Sequence, residues 1–560
     1  MRLQPSLILL LAAVGLLPAA LSCGRDPDAG RRVFRFINRG DIFTLDLNQM
    51  SYAQDFRLTY AIREGLYSPT GPQNAPLPAG AEGHTVSPDG KVYTFRLRKD
   101  AKWSNGDPVV AGDYVFSWKL LLQSPGEYTY LFYPIHNAEP YEKAYAAGAD
   151  TSKAEPAIEA IDDHTLRVTL DRPVTYFIDL TAFPTFYPRH AKSMDPFRNP
   201  KSPKADYDNR YTRPPAVVTN GPFKLVAWEF KRVLRLEKNE HYWDAAHVKL
   251  DAIENRVNDN ALSQLLQFDA GAVDWIAEVQ PDLAADLRAK GRPDLQTCTA
   301  FGTAFLTLDC RPNFDAAVLG GMKNPLADVR VRQALAMAID KAFITEQITR
   351  NGEAVATQYV PPGTLPGYRS DPGLPHDIAR AKKLLSDAGY PDGRGFPAVP
   401  LLYNAENPVR AKFAQALSRQ WKEALNIDVP IEQIEGKIFQ QRVSKRQYAI
   451  ATVAWFGDYP DISTFTEKYR STSQQNDSSW NNPQYDALLD KGANDADVPH
   501  RLATLAKAEG MINTEVPIIP LYHYVNATLV GPGVSGVSVN PRSLIDWKKV
   551  DVTAAAGGAR

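Results

Sequence analysis

Asp458 is the residue whose type and setting best suit chemistry. It follows Tyr448-Ala449-Ile450-Ala451-Thr452-Val453-Ala454-Trp455-Phe456-Gly457 and is itself followed by Tyr459-Pro460. The first nine residues are almost all apolar, as in a strand buried on both faces. Gly457 frees the backbone and Pro460 bars further ladder pairing. A carboxylate and aromatic rings therefore stand at the open end of a buried strand, where ligands bind in open α/β sheets. Such a carboxylate suits an amine and has little use for a neutral sugar. On this stretch alone a plainer reading stays open, in which Asp458 caps a turn and Trp455 is core. Bond-making sets are missing from the sequence: it has no His-Glu-x-x-His, Gly-x-Ser-x-Gly, Walker A loop or Cys-x-x-Cys. His241 stands beside Tyr242 and Trp243 with no second His or Cys at ligand spacing, so no metal site is expected.

Several elements must hold that strand end. Val33 to Asn38 reads as an opening strand, Phe56 to Leu66 as a helix, and Val92 to Arg98 as a half-buried strand with Tyr93, Phe95 and Leu97 on one side. Asp113 is expected to cap a helix carrying Val115, Trp118, Leu121 and Leu122. Asp328 starts a helix expected to run from Val329 to Thr349. Then come αβ units: an Asp377-capped helix closed by Gly389, a strand at Pro400 to Tyr403, a helix at Pro408 to Leu425, a strand at Ile427 to Ile434 and a short helix at Ile438 to Val443. Strands alternating with helices imply a mixed, partly parallel sheet, hence an α/β fold. A last helix, Leu502 to Ile512, precedes the apolar run Val516 to Tyr522.

The chain of 560 residues is too long for one core, and about two to four domains are expected. Its 63 basic and 64 acidic residues nearly cancel, which argues against nucleic acid as a partner. Arg2, the apolar stretch Leu7 to Leu17 and the small residues behind it read as a signal peptide, too short to span a bilayer. Residues 24–32 read as a polar tether. Export implies an oxidising compartment, which leaves Cys298 and Cys310 as a candidate disulfide.

The motif Ala454-Trp455-x-x-Asp458-Tyr459 resembles the extracytoplasmic solute-binding proteins of peptide ABC importers, the oligopeptide- and dipeptide-binding family. Lys102-Trp103-Ser104-Asn105-Gly106, Thr219-Asn220-Gly221-Pro222-Phe223, Gly271-x-x-Asp274 and Asp328-Val329-Arg330-Val331-Arg332-Gln333-Ala334-Leu335-Ala336-Met337-Ala338-Ile339-Asp340-Lys341 are similar to the same family, in the same order. The resemblance runs from about Arg31 to Val552. Ala20-Leu21-Ser22-Cys23 resembles a lipoprotein processing site, with Ala20 where Leu is usual, so Cys23 would carry a lipid.

The resemblance implies a periplasmic-binding-protein-like α/β fold: two large lobes and a smaller extra one, hinged around a ligand cleft. Lobe I would comprise 33–76, 212–300 and 522–552, lobe II 77–211 and lobe III 301–521, with a hinge where the chain crosses near 300 and 521. In the family, the Asp at position 458 holds a peptide's free amino group. Trp455, Tyr459 and the backbone of Ala454, Phe456, Ser51 and Ala53 would line the site, where the peptide binds as an added strand. Family members that clamp a carboxylate often have a basic residue where this chain has Thr452, and an aromatic where it has Gly436. Arg410 and Lys437 are the nearest basic candidates. The implied protein is a bacterial, lipid-anchored, monomeric receptor outside the inner membrane or on the outer one, delivering peptides to an ABC permease, with no cofactor and no enzymatic activity. A non-peptide solute, such as a metal chelate, haem or sugar, is the competing ligand class.

Overall fold

The structure, a computed structural model, describes residues 28–38, 40–70, 75–202, 204–405, 408–495 and 497–553. The expected signal peptide and Cys23 lie outside them. An eleven-stranded sheet forms the spine. Its order runs Ile431–Ile434, Leu401–Asn404, Ile450–Phe456, Leu295–Leu308, Ile518–Val530, Trp275–Ile276, Val33–Ile37, Ala252–Arg256, Val233–Lys238, Phe223–Glu229, with Ala354–Val355 attached to Ile518–Val530. Parallel pairs, such as Leu401 with Ile431 and Val33 with Ala252, sit beside antiparallel ones, so the sheet is mixed. A separate four-stranded antiparallel sheet orders Ala81–Val86, Val92–Leu97, Thr165–Thr169 and Ile158–Asp162.

The two long strands Leu295–Leu308 and Ile518–Val530 pair antiparallel and tie the halves of the large sheet together. Their ladder shifts register between Thr299 and Thr303 and again between Ala304 and Phe305. Such bulges bend a strand and raise its twist locally.

Separate cores flank the spine. Phe34, Phe36, Trp275 and Trp547 pack in one, Trp103, Trp118, Phe132 and Phe186 in a second, and Leu306, Leu335, Trp421 and Ile450 in a third. Each buried indole needs an acceptor. Trp118 donates to Phe186 O at 2.8 Å, Trp421 to Leu335 O at 2.9 Å and Trp547 to Arg57 O at 2.9 Å. Tyr459 joins the second core although most of that core lies within 66–186.

Several elements differ from their sequence expectation. The helix expected over Val329 to Thr349 stops at Met337, because Asp340 accepts the Phe343 N–H at 3.0 Å and caps a new turn, Lys341–Phe343. Asp113 is the third residue of the helix Ala111–Gln123, and its carboxylate accepts the Val110 N–H. Residues 28–32 do not run free as a tether. Asp28 is buried and takes Arg235 at 2.6 Å and Arg35 at 3.0 Å, and the Arg32 N–H bonds Asp251. The candidate disulfide is not formed: Cys298 and Cys310 are both free. Most of the strand Leu295–Leu308 runs between them, putting them on the order of 30 Å apart in extended chain. A disulfide needs Cα atoms within about 7 Å. No helix among the described residues is long and apolar enough to cross a membrane.

Candidate functional site

The strand Ile450–Phe456 is paired along one side with Gly302 to Leu308. On its other side Leu401 and Leu402 pair only with Ile450 and Ala451. Successive backbone groups of a strand face opposite ways, and the hydrogen bonds show which way. The Ile450 N–H donates outward to Pro400 O, and Thr452 O accepts outward from Arg410 Nη1 at 2.8 Å, whereas Ala449 O accepts from Asp309 on the paired side. The N–H and C=O groups of Ala454 and Phe456 therefore face the outer edge, where no strand among the described residues pairs with them. Phe456 is exposed and its ring lies 4.9 Å from that of Tyr524.

Asp458 follows this open edge. Its backbone is fixed on both sides: its N–H donates to Thr464 Oγ1 at 3.0 Å, and its carbonyl accepts from Arg542 Nη2 at 2.8 Å. Gly457 lets the turn close, since a Cβ there would fall 2.1 Å from the Phe301 ring. Asp458 Oδ2 accepts from the Tyr130 hydroxyl at 2.5 Å. Burial pushes the carboxyl up to about 7, against the downward pull of the Tyr130 bond; Glu127 adds repulsion and Arg542 opposes it. Asp179 is pushed up to about 7 by burial and by Asp461. A desolvated carboxylate beside further acids favours an incoming cation.

The other expected site residues divide. Trp455 points its indole N–H at Thr464 O, 2.8 Å away, with the Lys468 ammonium over its ring at 4.9 Å. It braces the Asp458 turn. Tyr459 is buried and stacks on Tyr176, ring centres 4.8 Å apart. Ser51 and Ala53 lie at the start of the helix Ala53–Ile62, and Ser51 lies beside the Glu127 carboxyl and draws it down against the upward push of burial. Arg410, on the helix Pro408–Leu425, reaches the carbonyl of Thr452 itself. Sequence reasoning missed Tyr130, Glu127, Tyr176, Asp179 and Arg542. Tyr130 and Arg542 stand 328 and 84 positions from Asp458, and no local pattern links them to it. No group of His, Cys, Asp and Glu among the described residues could hold a metal ion.

The family model of bacterial extracellular solute-binding proteins, family 5 (middle), matches residues 75–477. The chain belongs to this family. It is 31% identical over 469 residues to the oligopeptide-binding protein OppA of Bacillus subtilis, covering 81% of this chain and 80% of that one. Among solved structures, the Escherichia coli murein tripeptide binding protein MppA superposes with a TM-score of 0.77 at 27% identity, covering 94% of this chain and 99% of its own. Haemophilus influenzae OppA in complex with the peptide RPPGFSPFR gives a TM-score of 0.75 at 25% identity, covering 93% and 99%. The family 5 chain thus has the lobed α/β fold of periplasmic binding proteins, and its open strand edge and Asp458 lie on that scaffold.

Proposed function

We propose that the protein captures peptides between its lobes and delivers them to an ABC transporter permease. One observation carries this reading: a strand edge at Ala454 and Phe456, with which no strand among the described residues pairs, leads directly into a desolvated carboxylate, Asp458. An extended peptide can add to the edge through its backbone, and its terminal ammonium can pair with the carboxylate. Affinity of this kind depends little on side chains and suits a broad-specificity receptor. Arg410, at Thr452, marks the far end of the edge and is the candidate partner for a peptide carboxylate. The lobes are 33–76 with 212–300 and 522–552, then 77–211, then 301–521; the separate cores support the division and the bulged strands near 300 and 521 support a hinge. The receptor acts as a monomer and catalyses nothing. Cys23 is its lipidation site, an inference that rests on Ala20-Leu21-Ser22-Cys23. Calorimetry with trialanine and N-acetyl-trialanine tests the reading. Saturable heat with the first and a strong loss of affinity with the second are expected. Equal binding of both, or of neither, contradicts it.

A further inference from the structure

Arg542 has an unexplained half. Its Nη2 is used, donating to the Asp458 carbonyl at 2.8 Å. Its Nη1 is buried and has no hydrogen-bond partner among the described residues. Arginine stays charged in proteins, and a buried guanidinium N–H left unpaired costs more than a made bond returns. Burial duly pulls Arg542 below its ordinary range, and the groups that feel its charge are Tyr60, Asp179, Asp458 and Tyr187.

The guanidinium is also held still. The carbonyl of Pro541, the preceding residue, accepts the Phe301 N–H at 2.7 Å. Phe301 O in turn accepts the Gly457 N–H at 2.8 Å. Residues 541–542, the bulge at Phe301 and the turn at 457–458 thus close a ring of hydrogen bonds, with Arg542 Nη2 on Asp458 O as its last link. The ring fixes a donor beside the carboxylate before any ligand arrives, which cuts the ordering cost of binding.

A fixed anion with a fixed donor next to it matches a ligand whose cation and acceptor are close together. In an α-aminoacyl group the ammonium nitrogen and the carbonyl oxygen are three bonds apart. We propose that Arg542 is a second ligand-binding residue, its Nη1 donating to the carbonyl oxygen of the ligand's first residue while Asp458 takes that residue's ammonium. This rests on the peptide reading of Asp458 and narrows it. The site selects free α-aminoacyl termini over simple amines, which offer the ammonium without the oxygen. The carbonyl has two lone pairs, so it can accept from Arg542 and still pair with the strand edge.

The test is a double-mutant cycle between protein and ligand. The protein arms are wild type, Arg542→Gln and Arg542→Lys. The ligand arms are trialanine and its analogue with an (E)-alkene in place of the first peptide bond, which keeps the ammonium and the shape but removes the carbonyl oxygen and the amide N–H; the loss of the N–H is common to every protein arm and cancels in the cycle. A hydrogen bond to a charged group predicts that the alkene costs wild type about tenfold to a hundredfold in affinity. The extra cost due to Arg542 vanishes in Arg542→Gln, so the alkene penalty there is several-fold smaller. Arg542→Lys, which keeps the charge, retains part of the penalty and covers the case in which Arg542→Gln fails to fold. If the alkene penalty is the same in wild type and in the folded variants, Arg542 only braces the Asp458 turn and the proposal is wrong. If N-acetyl-trialanine binds wild type as well as trialanine does, the Asp458 reading fails instead, and the two failures are told apart.

Discussion

Asp458 carries a pH signature. Its carboxyl sits at about 7 in the ligand-free fold, mainly through burial, whereas an exposed Asp titrates near 3.9. Pairing with an ammonium requires the ionised form, so binding a peptide releases a proton below about pH 7. Affinity for trialanine should rise about tenfold per pH unit from pH 5 towards 7 and fall again above about pH 8, as the peptide's own α-ammonium loses its proton. Calorimetry across that range, in buffers of different ionisation heat, checks both the slope and the proton release. A flat profile would contradict the assignment. The stability of the ligand-free protein has the opposite sign. A raised carboxyl favours the fold at low pH, and that contribution is lost as pH rises from about 4 through about 7. Asp55 and Asp179 also stand at about 7, both chiefly through burial, and add to the same trend. The ligand-free melting temperature should therefore drop between pH 5 and pH 8, with a smaller drop in Asp458→Asn. The aromatic neighbours teach a different lesson. Trp455 and Tyr459 are conspicuous in sequence beside Asp458, yet one braces a turn and the other stacks on Tyr176. Both have structural contacts of their own, a role that their spacing from Asp458 in the sequence did not show.

At the scale of elements, periodicity and capping residues identified most strands and helices, because those signals are local. The strand ending in Ala454-Trp455-Phe456 and the Asp377-capped helix Ile378–Asp387 are of this kind. The failures are where a cap competes with a continuous apolar stripe, as Asp340 does inside Val329 to Thr349, or where the length of a strand decides, as between Cys298 and Cys310. Two free thiols from these residues should therefore be titratable in the denatured, unreduced protein, and a count of none would contradict the strand that separates them. The turn at Gly457 is equally testable. A Cβ there would overlap the Phe301 ring, so Gly457→Ala must displace the bulge or the Asp458 turn. Overpacking of this sort costs about 1–3 kcal/mol. Thermal or urea unfolding should show that loss, together with weaker trialanine binding. A variant as stable and as tight as wild type would mean that Phe301 and Gly457 move apart freely.

For the whole molecule, the lobed fold was legible in the order of the family-like stretches, whereas the contacts between residues 130–176 and 458–501 were not, since they join residues hundreds of positions apart. Tyr130 reaches Asp458, Tyr176 stacks on Tyr459, and the Arg501 guanidinium, paired with Asp461 at 2.6 Å, lies 5.7 Å from the Tyr176 ring centre. These contacts bring residues 130–176 against 458–501 across the ligand edge. Together the hydrogen bond, the ring stack and the cation–π contact contribute only a few kcal/mol, so on the proposed clamp reading they do not by themselves fix the balance between a closed and an open form. A peptide held on the strand edge tips that balance. Small-angle scattering should show a smaller radius of gyration when trialanine saturates the protein, and an unchanged profile would argue against clamping. The most direct measurement is a four-member calorimetric cycle of wild type and Asp458→Asn against trialanine and N-acetyl-trialanine. Each single change should cost about 2–5 kcal/mol, roughly thirtyfold to several thousandfold in affinity, and the two together much less than their sum, because they remove one interaction. If Asp458→Asn binds trialanine as tightly as wild type does, the ammonium is held elsewhere and Asp458 is not the anchor.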